Sequence, residues 1–321
     1  FTPAGRVMTI VEYHGWKNNL LLTNGAVELI ATLDVGPRVI SYRMPGGPNV
    51  LKNYPSMLGG TGEPEWQIRG GHRFWIAPED LTRTYFPDNR PVQVEELGPR
   101  AARLIPPPET EYGLQKMMTL ELGETGTLVR VTLTVKNIGT MATELAPWGP
   151  TVMVPGGIEI IPLPPKKPHP GHVRNARSPA DFGPNQQLIL WPYFDFADPR
   201  WTFGRRYLFL RQDVTRGPTK IGLAHRMGWV AYVVSGVMFV KRFDYREGAV
   251  YPDGGTRYQT FSNEDMLEME TCGELVSLAP GESAELFETW ELHDGVPDIA
   301  TEADVDRYIL PRIEAGASGK R

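Results

Sequence analysis

The chain has 321 residues, 41% of them hydrophobic and 22% charged, with a net charge of −5. That length is ample for a large core, and 34 glycines with 30 prolines exceed the combined share of roughly 12% in ordinary proteins, so turns are expected throughout rather than a helical bundle. The mild acidity gives no reason to expect a nucleic-acid partner, no apolar run reaches the ~18–20 residues of a membrane helix, and the single Cys272 excludes an internal disulfide framework.

The dominant hydrophobic period is two. The first hairpin signal is Asn24-Gly25, flanked by Leu20–Leu22 and Val27–Ile30, a pattern that predicts a two-residue turn between strands. In 127–136, Val129, Val131, Leu133 and Val135 alternate with Arg130, Thr132, Thr134 and Lys136, as in a strand with one wet face. Residues 206–211, 229–243, 266–271 and 284–292 read as further strands. Gly/Pro turns recur about every ten residues between them, which points to a sandwich or barrel. One helix is expected, from Thr301 as N-cap to about Ile313, with Glu302 and Asp304 in its first turn and a frayed tail after it. Residues 1–300 are read as one sandwich domain and 301–321 as helix and tail.

Between Pro162 and Gln187 lies a connection with seven prolines and the cations Lys166, Lys167, Arg174 and Arg177. A loop of that length is a lid, a binding loop or a solvated excursion. His169 and His172 stand three apart in it without a third ligand, so no metal is expected. The chain starts at Phe1. One cysteine suits the cytosol and the periplasm equally, and a removed signal peptide fits the latter.

Four segments carry candidate chemistry. In 65–90, His72, Arg73, Trp75, Glu79, Arg83, Tyr85, Asp88 and Asn89 combine flat apolar rings with donors and acceptors, the surface a sugar needs. His72 is an acid or base near neutral pH, or a histidine bonded within a turn. Arg73 binds ligand or pairs with Glu79 or Asp88. In 263–274, Met266, Glu268 and Glu270 share one strand face and Leu267, Met269 and Thr271 the other. Two carboxylates on one face form either a solvated edge or a cleft where crowding makes a base. In 238–259, Lys241, Arg242, Asp244, Tyr251 and Asp253 end an apolar strand and hold a polar ligand if they lie at a sandwich mouth. In 191–211, Trp191, Tyr193, Phe194, Phe196, Trp201 and Phe203 with Arg200, Arg205 and Arg206 read as core aromatics with snorkelling arginines, or as a stacking rim. No phosphate loop, dinucleotide glycine fingerprint, nucleophile elbow or zinc-protease motif is present.

The opening NLLLTNGAVELIATLDVGPRVISYRM, GGHRFW at 70–75 and METCGELVSLAPGES at 269–283 resemble galactose-mutarotase-like proteins of the aldose 1-epimerase superfamily, over most of 15–292. GGHRFWIAPE, TYFPDN, ELAPW, FVKRF and LEMET resemble more closely a bacterial domain family of unassigned activity within it. The resemblance implies an all-β fold, a β-supersandwich of two large, mostly antiparallel sheets, with sugar on a concave face. It implies mutarotation by a glutamate base and a histidine acid, with no cofactor. Glu270 matches the glutamate, with Glu268 as the other possible match. His72 resembles the substrate-binding histidine. The second histidine belongs near 145–153, where this chain has LAPWGPTVM and none.

These residues predict a carbohydrate-active protein with a small-molecule or oligosaccharide ligand. Glu270 and His72 are the expected acid–base pair, and Arg73, Glu79, Lys241, Tyr251, Asp253 and Glu268 the expected binding groups, with Trp75 or Trp148 stacking on the ring. A non-catalytic sugar-binding protein on the same scaffold is the rival reading. A polysaccharide lyase or hydrolase, with Tyr85, Tyr251 or His72 as base and Arg73 neutralising a uronate, is a third.

Overall fold

A computed structural model describes residues 8–318. Alternation does what the sequence predicts in Val129–Asn137, where Val129, Val131, Leu133 and Val135 are buried and the residues between them are half-buried or exposed. Such strands assemble into two large antiparallel sheets of 12 and 10 strands. Their facing apolar sides form one core, in which Leu133, Leu120, Phe239 and Trp290 of one sheet meet Leu29, Tyr42, Leu267 and Met269 of the other.

The first sheet holds the candidate residues. Its central strand is Thr143–Met153, which pairs with Leu267–Cys272 on one side and with His72–Arg73 and Trp75–Ala77 on the other. Beyond Leu267–Cys272 follow Tyr258–Ser262, Thr219–Leu223 and the edge strand Leu188–Leu190. The second sheet runs from Trp201–Phe203 at one edge to Gln93–Gly98 at the other.

Two expected elements take a different form. Asn24-Gly25 closes a four-residue loop, since pairing between Trp16–Thr23 and Glu28–Thr32 stops at Thr23↔Glu28. The Asn24 side chain accepts the Ala26 and Val27 N–H groups at 2.9 and 3.2 Å and donates to Gly123 and Gly126. It thus uses the turn to pin a second loop. The apolar run 229–243 is two strands, Trp229–Val234 and Val237–Arg242, because Ser235 and Gly236 both adopt positive φ, 50° and 77°, which makes a tight hairpin turn.

The C-terminal helix starts where expected. Thr301 Oγ1 accepts the Asp304 N–H while Asp304 accepts the Thr301 N–H, a reciprocal capping box. A wide turn at Val305–Ile309 precedes Pro311, which has no N–H to give an α-helical ladder. The helix continues through Ser318, so residues 315–318 are helical where a frayed tail was expected. The last three residues lie outside the described part. Val305, Ile309 and Ile313 pack on Ile160, Phe209 and Val240, covering the outer face of the second sheet. The proline-rich segment 163–187 is largely exposed. Most of its side-chain bonds are internal, as His169 to Gly171 N–H and Asp181 to Arg177 N–H, while Gln187 at its end donates to the Gly254 carbonyl.

Candidate functional site

Strand alternation builds the site. On Leu267–Cys272, Leu267 and Met269 enter the core, so Glu268, Glu270 and Cys272 face the opposite way. Antiparallel register sets Trp148 beside Cys272 and Pro150 beside Glu270. On the other flank, Gln259 lies beside Glu270 and Phe261 beside Glu268, and Lys220 follows beside Phe261. Directly paired residues share a face, so these side chains converge outside the sandwich core. Arg73 and Trp75 join them, and together they line a cleft of about 210 Å³ walled by Trp66, Tyr85, Trp148 and Tyr193.

Each carboxylate has its own cation. Arg73 Nη1 donates to Glu268 Oε1 at 2.6 Å, and its guanidinium lies 3.8 Å from the centre of the Trp75 ring and 5.4 Å from that of Trp66. Lys220 Nζ donates to Glu270 Oε2 at 3.0 Å, with the Trp148 and Trp191 rings 5.0 and 4.9 Å away. Charge–quadrupole attraction holds both cations against the tryptophans. Glu79 accepts a hydrogen bond from Tyr85.

Glu270 is 1% exposed. Burial pushes its carboxyl up to about 7, against the pull of Lys220 and with help from the Glu268 charge. Burial alone would lower Lys220, but the charge and hydrogen bond of Glu270, with Glu268 and Glu79, raise it above the usual lysine value. Several buried polar atoms of this face have no partner among the described residues: Glu270 Oε1, Gln259 Oε1, Arg73 Nε and the indole nitrogens of Trp75 and Trp148. Buried polar groups normally find partners. Arg73, Trp75, Trp148 and Glu270, which carry unpartnered donors and an unpartnered acceptor, line the one cleft.

Of the ten residues expected to act on or bind the ligand, Glu268, Glu270, Arg73, Trp75, Glu79 and Trp148 line this cleft. Four do not. His72 precedes Arg73 and therefore points the other way, into the sandwich, where it is fully buried, shares a hydrogen bond with Thr151 Oγ1 at 2.9 Å and packs on Trp290. Burial, with Lys241 and Arg73, holds it well below the usual histidine value. It is a neutral interior group, out of reach of a ligand in the cleft.

Lys241 is also interior. Its Nζ donates to the Gly149 and Met269 carbonyls at 2.6 and 3.0 Å and pairs with Glu288 at 3.1 Å. Glu288 also accepts from Thr271 Oγ1 and Trp290 Nε1. This network ties the second sheet to the backs of the two strands that carry Trp148 and Glu270. A Cβ on Gly149 would stand 2.6 Å from Glu288 Oε1 and 3.1 Å from His72 Cε1, so a glycine is needed there. Tyr251 stacks on Tyr245 and lines a separate pocket with Arg246 and Arg257. Asp253 accepts from Gln259 Nε2 at 2.6 Å, one residue removed from the cleft.

Tyr85 and Tyr193, both named among the aromatic candidates, also line the cleft, and Lys220 and Trp66, which the sequence reading did not single out, complete it. Lys220 stands between Pro218 and the apolar Ile221, and a lysine inside an apolar strand is a signal. Lys241 carries the same signal, however.

No protein-family model matches this sequence, and no curated protein is similar to it in sequence. Solved structures do match in shape. A galactose mutarotase-like protein from Lactobacillus casei aligns over 86% of this chain and 100% of its own, with a TM-score of 0.56 and 12% identity. The chain has the galactose mutarotase-like fold. The same fold relates it to a galactose mutarotase related enzyme from Lactobacillus acidophilus, at TM-score 0.52 and 10% identity over 88% of this chain and 100% of that one. It also relates it to the Slr1438 protein from Synechocystis sp. PCC 6803, at TM-score 0.57 and 12% identity over 92% and 98%. At these identities the likeness is one of fold, and a fold does not confer an activity.

Proposed function

We propose that the cleft binds a sugar and performs acid–base chemistry at its anomeric carbon, interconverting the anomers of an aldose or sugar acid. Glu270 is the base. The observation that carries this reading is the state of its carboxylate: one oxygen is held by Lys220, and the other is buried in a tryptophan-walled cleft without a partner among the described residues. A base with a carboxyl near 7 is matched to proton transfer at neutral pH. Arg73, Glu268 and Glu79 are placed to bond hydroxyls, and Trp75 and Trp148 offer ring faces. The mutarotase-named fold neighbours support the substrate class by analogy.

A second reading is a sugar-binding protein without catalysis. It is favoured by one observation: the face that carries Glu270 presents Trp148 and Pro150 along 145–153 and no histidine lines the cleft. A lyase base gains no support from Tyr85, whose phenol is pushed up by burial and by its bond to Glu79.

Exchange NMR with a panel of aldoses and uronates tests the choice. Faster anomer interconversion with wild type, reduced about 10²–10⁴-fold in Glu270→Gln, is the expected result for loss of a general base. Binding without acceleration leaves the binding-protein reading.

A further inference from the structure

Ring opening of a cyclic sugar needs a proton donor to the ring oxygen as well as a base, and His72 cannot reach the cleft. We propose that Lys220 is that donor, acting with Glu270 as one acid–base couple. The inference rests on the anomer-interconverting reading above.

The geometry singles Lys220 out among the cleft-lining residues. Its ammonium has three N–H groups, and one goes to Glu270. Arg73 does not release a proton in proteins. The Tyr85 hydroxyl is given to Glu79, and burial pushes the Tyr193 phenol up. Glu268 is the ionic partner of Arg73. The charged and titratable groups facing Lys220 are Glu270, Glu268 and Glu79, with Tyr193 on the rim.

The pairing explains how a lysine whose proton is held firmly at rest becomes an acid. The Glu270 charge is the main influence holding the proton on Lys220, and burial opposes it. In the reaction, Glu270 Oε1 takes the proton of the anomeric hydroxyl. The O1–H electron pair forms the C1=O1 double bond as the C1–O5 bond breaks. O5 keeps that bonding pair and takes a proton from Lys220 Nζ. The products are an open-chain aldehyde, a neutral Glu270 and a neutral Lys220. Neutralising Glu270 removes the charge that retained the lysine proton, while burial remains, so Lys220 turns acidic at the step that needs it. A half-turn about C1–C2 and the reverse transfers close the other anomer and restore both charges.

Lys220→Arg separates this role from a structural one. Arginine keeps the positive charge and the ion pair with Glu270 but does not donate its proton. The expected result is a folded protein that binds sugar within a few-fold of wild type and exchanges anomers about 10²–10⁴-fold more slowly, the range for loss of a general acid. In Lys220→Ala, added ethylammonium is expected to restore exchange in a saturable way, which covers the case in which arginine does not fit. Near-wild-type exchange in Lys220→Arg, or no restoration by ethylammonium in folded Lys220→Ala, overturns the assignment and leaves Glu270 as base untouched. A wild type that accelerates no sugar overturns both this inference and the reading beneath it.

Discussion

Glu268 and Glu270 point into one cleft from the same strand face, yet each is matched to a different cation, Arg73 at 2.6 Å and Lys220 at 3.0 Å. Two carboxylates so close would otherwise compete for ionisation. The paired cations offset that competition, and burial still lifts the Glu270 carboxyl to about 7.

A pH profile follows from that value. A base must be ionised to act, so kcat/KM for anomer exchange is expected to rise about tenfold per pH unit below roughly 7 and to level off above it. Exchange NMR between pH 5 and 9 measures this. A profile flat down to pH 5 would place the base elsewhere.

Glu159 gives a stability prediction with a definite sign. It lies between the sheets, accepting from Tyr258 and from Thr260 Oγ1, and burial pushes its carboxyl from the usual 4.5 up to about 8. The folded protein therefore holds this proton more tightly than the unfolded chain. Below pH 4.5 both states are protonated and nothing is lost. Between 4.5 and 8 the unfolded state ionises first, so this group's contribution to stability falls as pH rises, by up to about 1.4 kcal/mol per unit. Glu159→Gln is expected to gain stability relative to wild type at pH 9 compared with pH 5. Urea unfolding at the two pH values reads the difference, and an equal difference at both rejects the account.

The Lys241–Glu288 pair predicts a strong asymmetry between single and double substitution. Both side chains are completely buried, so Lys241→Met leaves an uncompensated interior carboxylate and is expected to cost about 3–5 kcal/mol. Lys241→Met with Glu288→Gln removes both charges and should recover part of that loss. Denaturant midpoints of the two variants decide it; a double variant no more stable than the single one excludes charge as the cause.

The C-terminal helix supports the second sheet from outside. Ile309 is fully buried against its outer face, and Ile309→Ala is expected to cost about 2–5 kcal/mol through lost burial and the cavity left behind. Sugar affinity should be unchanged, because the helix covers the sheet that does not carry the cleft. Thermal melts with and without ligand measure both quantities, and a large change in affinity would show coupling across the sandwich.

Much of the architecture was legible because alternation is a local property. Val129–Asn137 shows its buried face in four apolar residues, and the Thr301 cap and the acidic first turn announce the helix. The central strand Thr143–Met153 was not recognised. It contains Pro147 and Pro150, which cannot donate to a ladder, and it is tolerated because it changes partners along its length, from Val276–Leu278 to Trp75–Ala77 to Leu267–Cys272. Only long-range pairing reveals that arrangement.

From its sequence alone this chain declares two-residue periodicity, Gly/Pro-rich turns, a capped C-terminal helix and a face shared by Glu268 and Glu270. The period says which residues point the same way, not which side of the sheet they reach. His72 and Arg73 are neighbours, yet one enters the core and the other the cleft. Lys220 and Lys241 each sit in an apolar strand, yet the first meets Glu270 and the second Glu288. Register between strands distant in sequence, and the closing of the second sheet over one face of the first, decided which lysine faces the cleft and which is sealed inside.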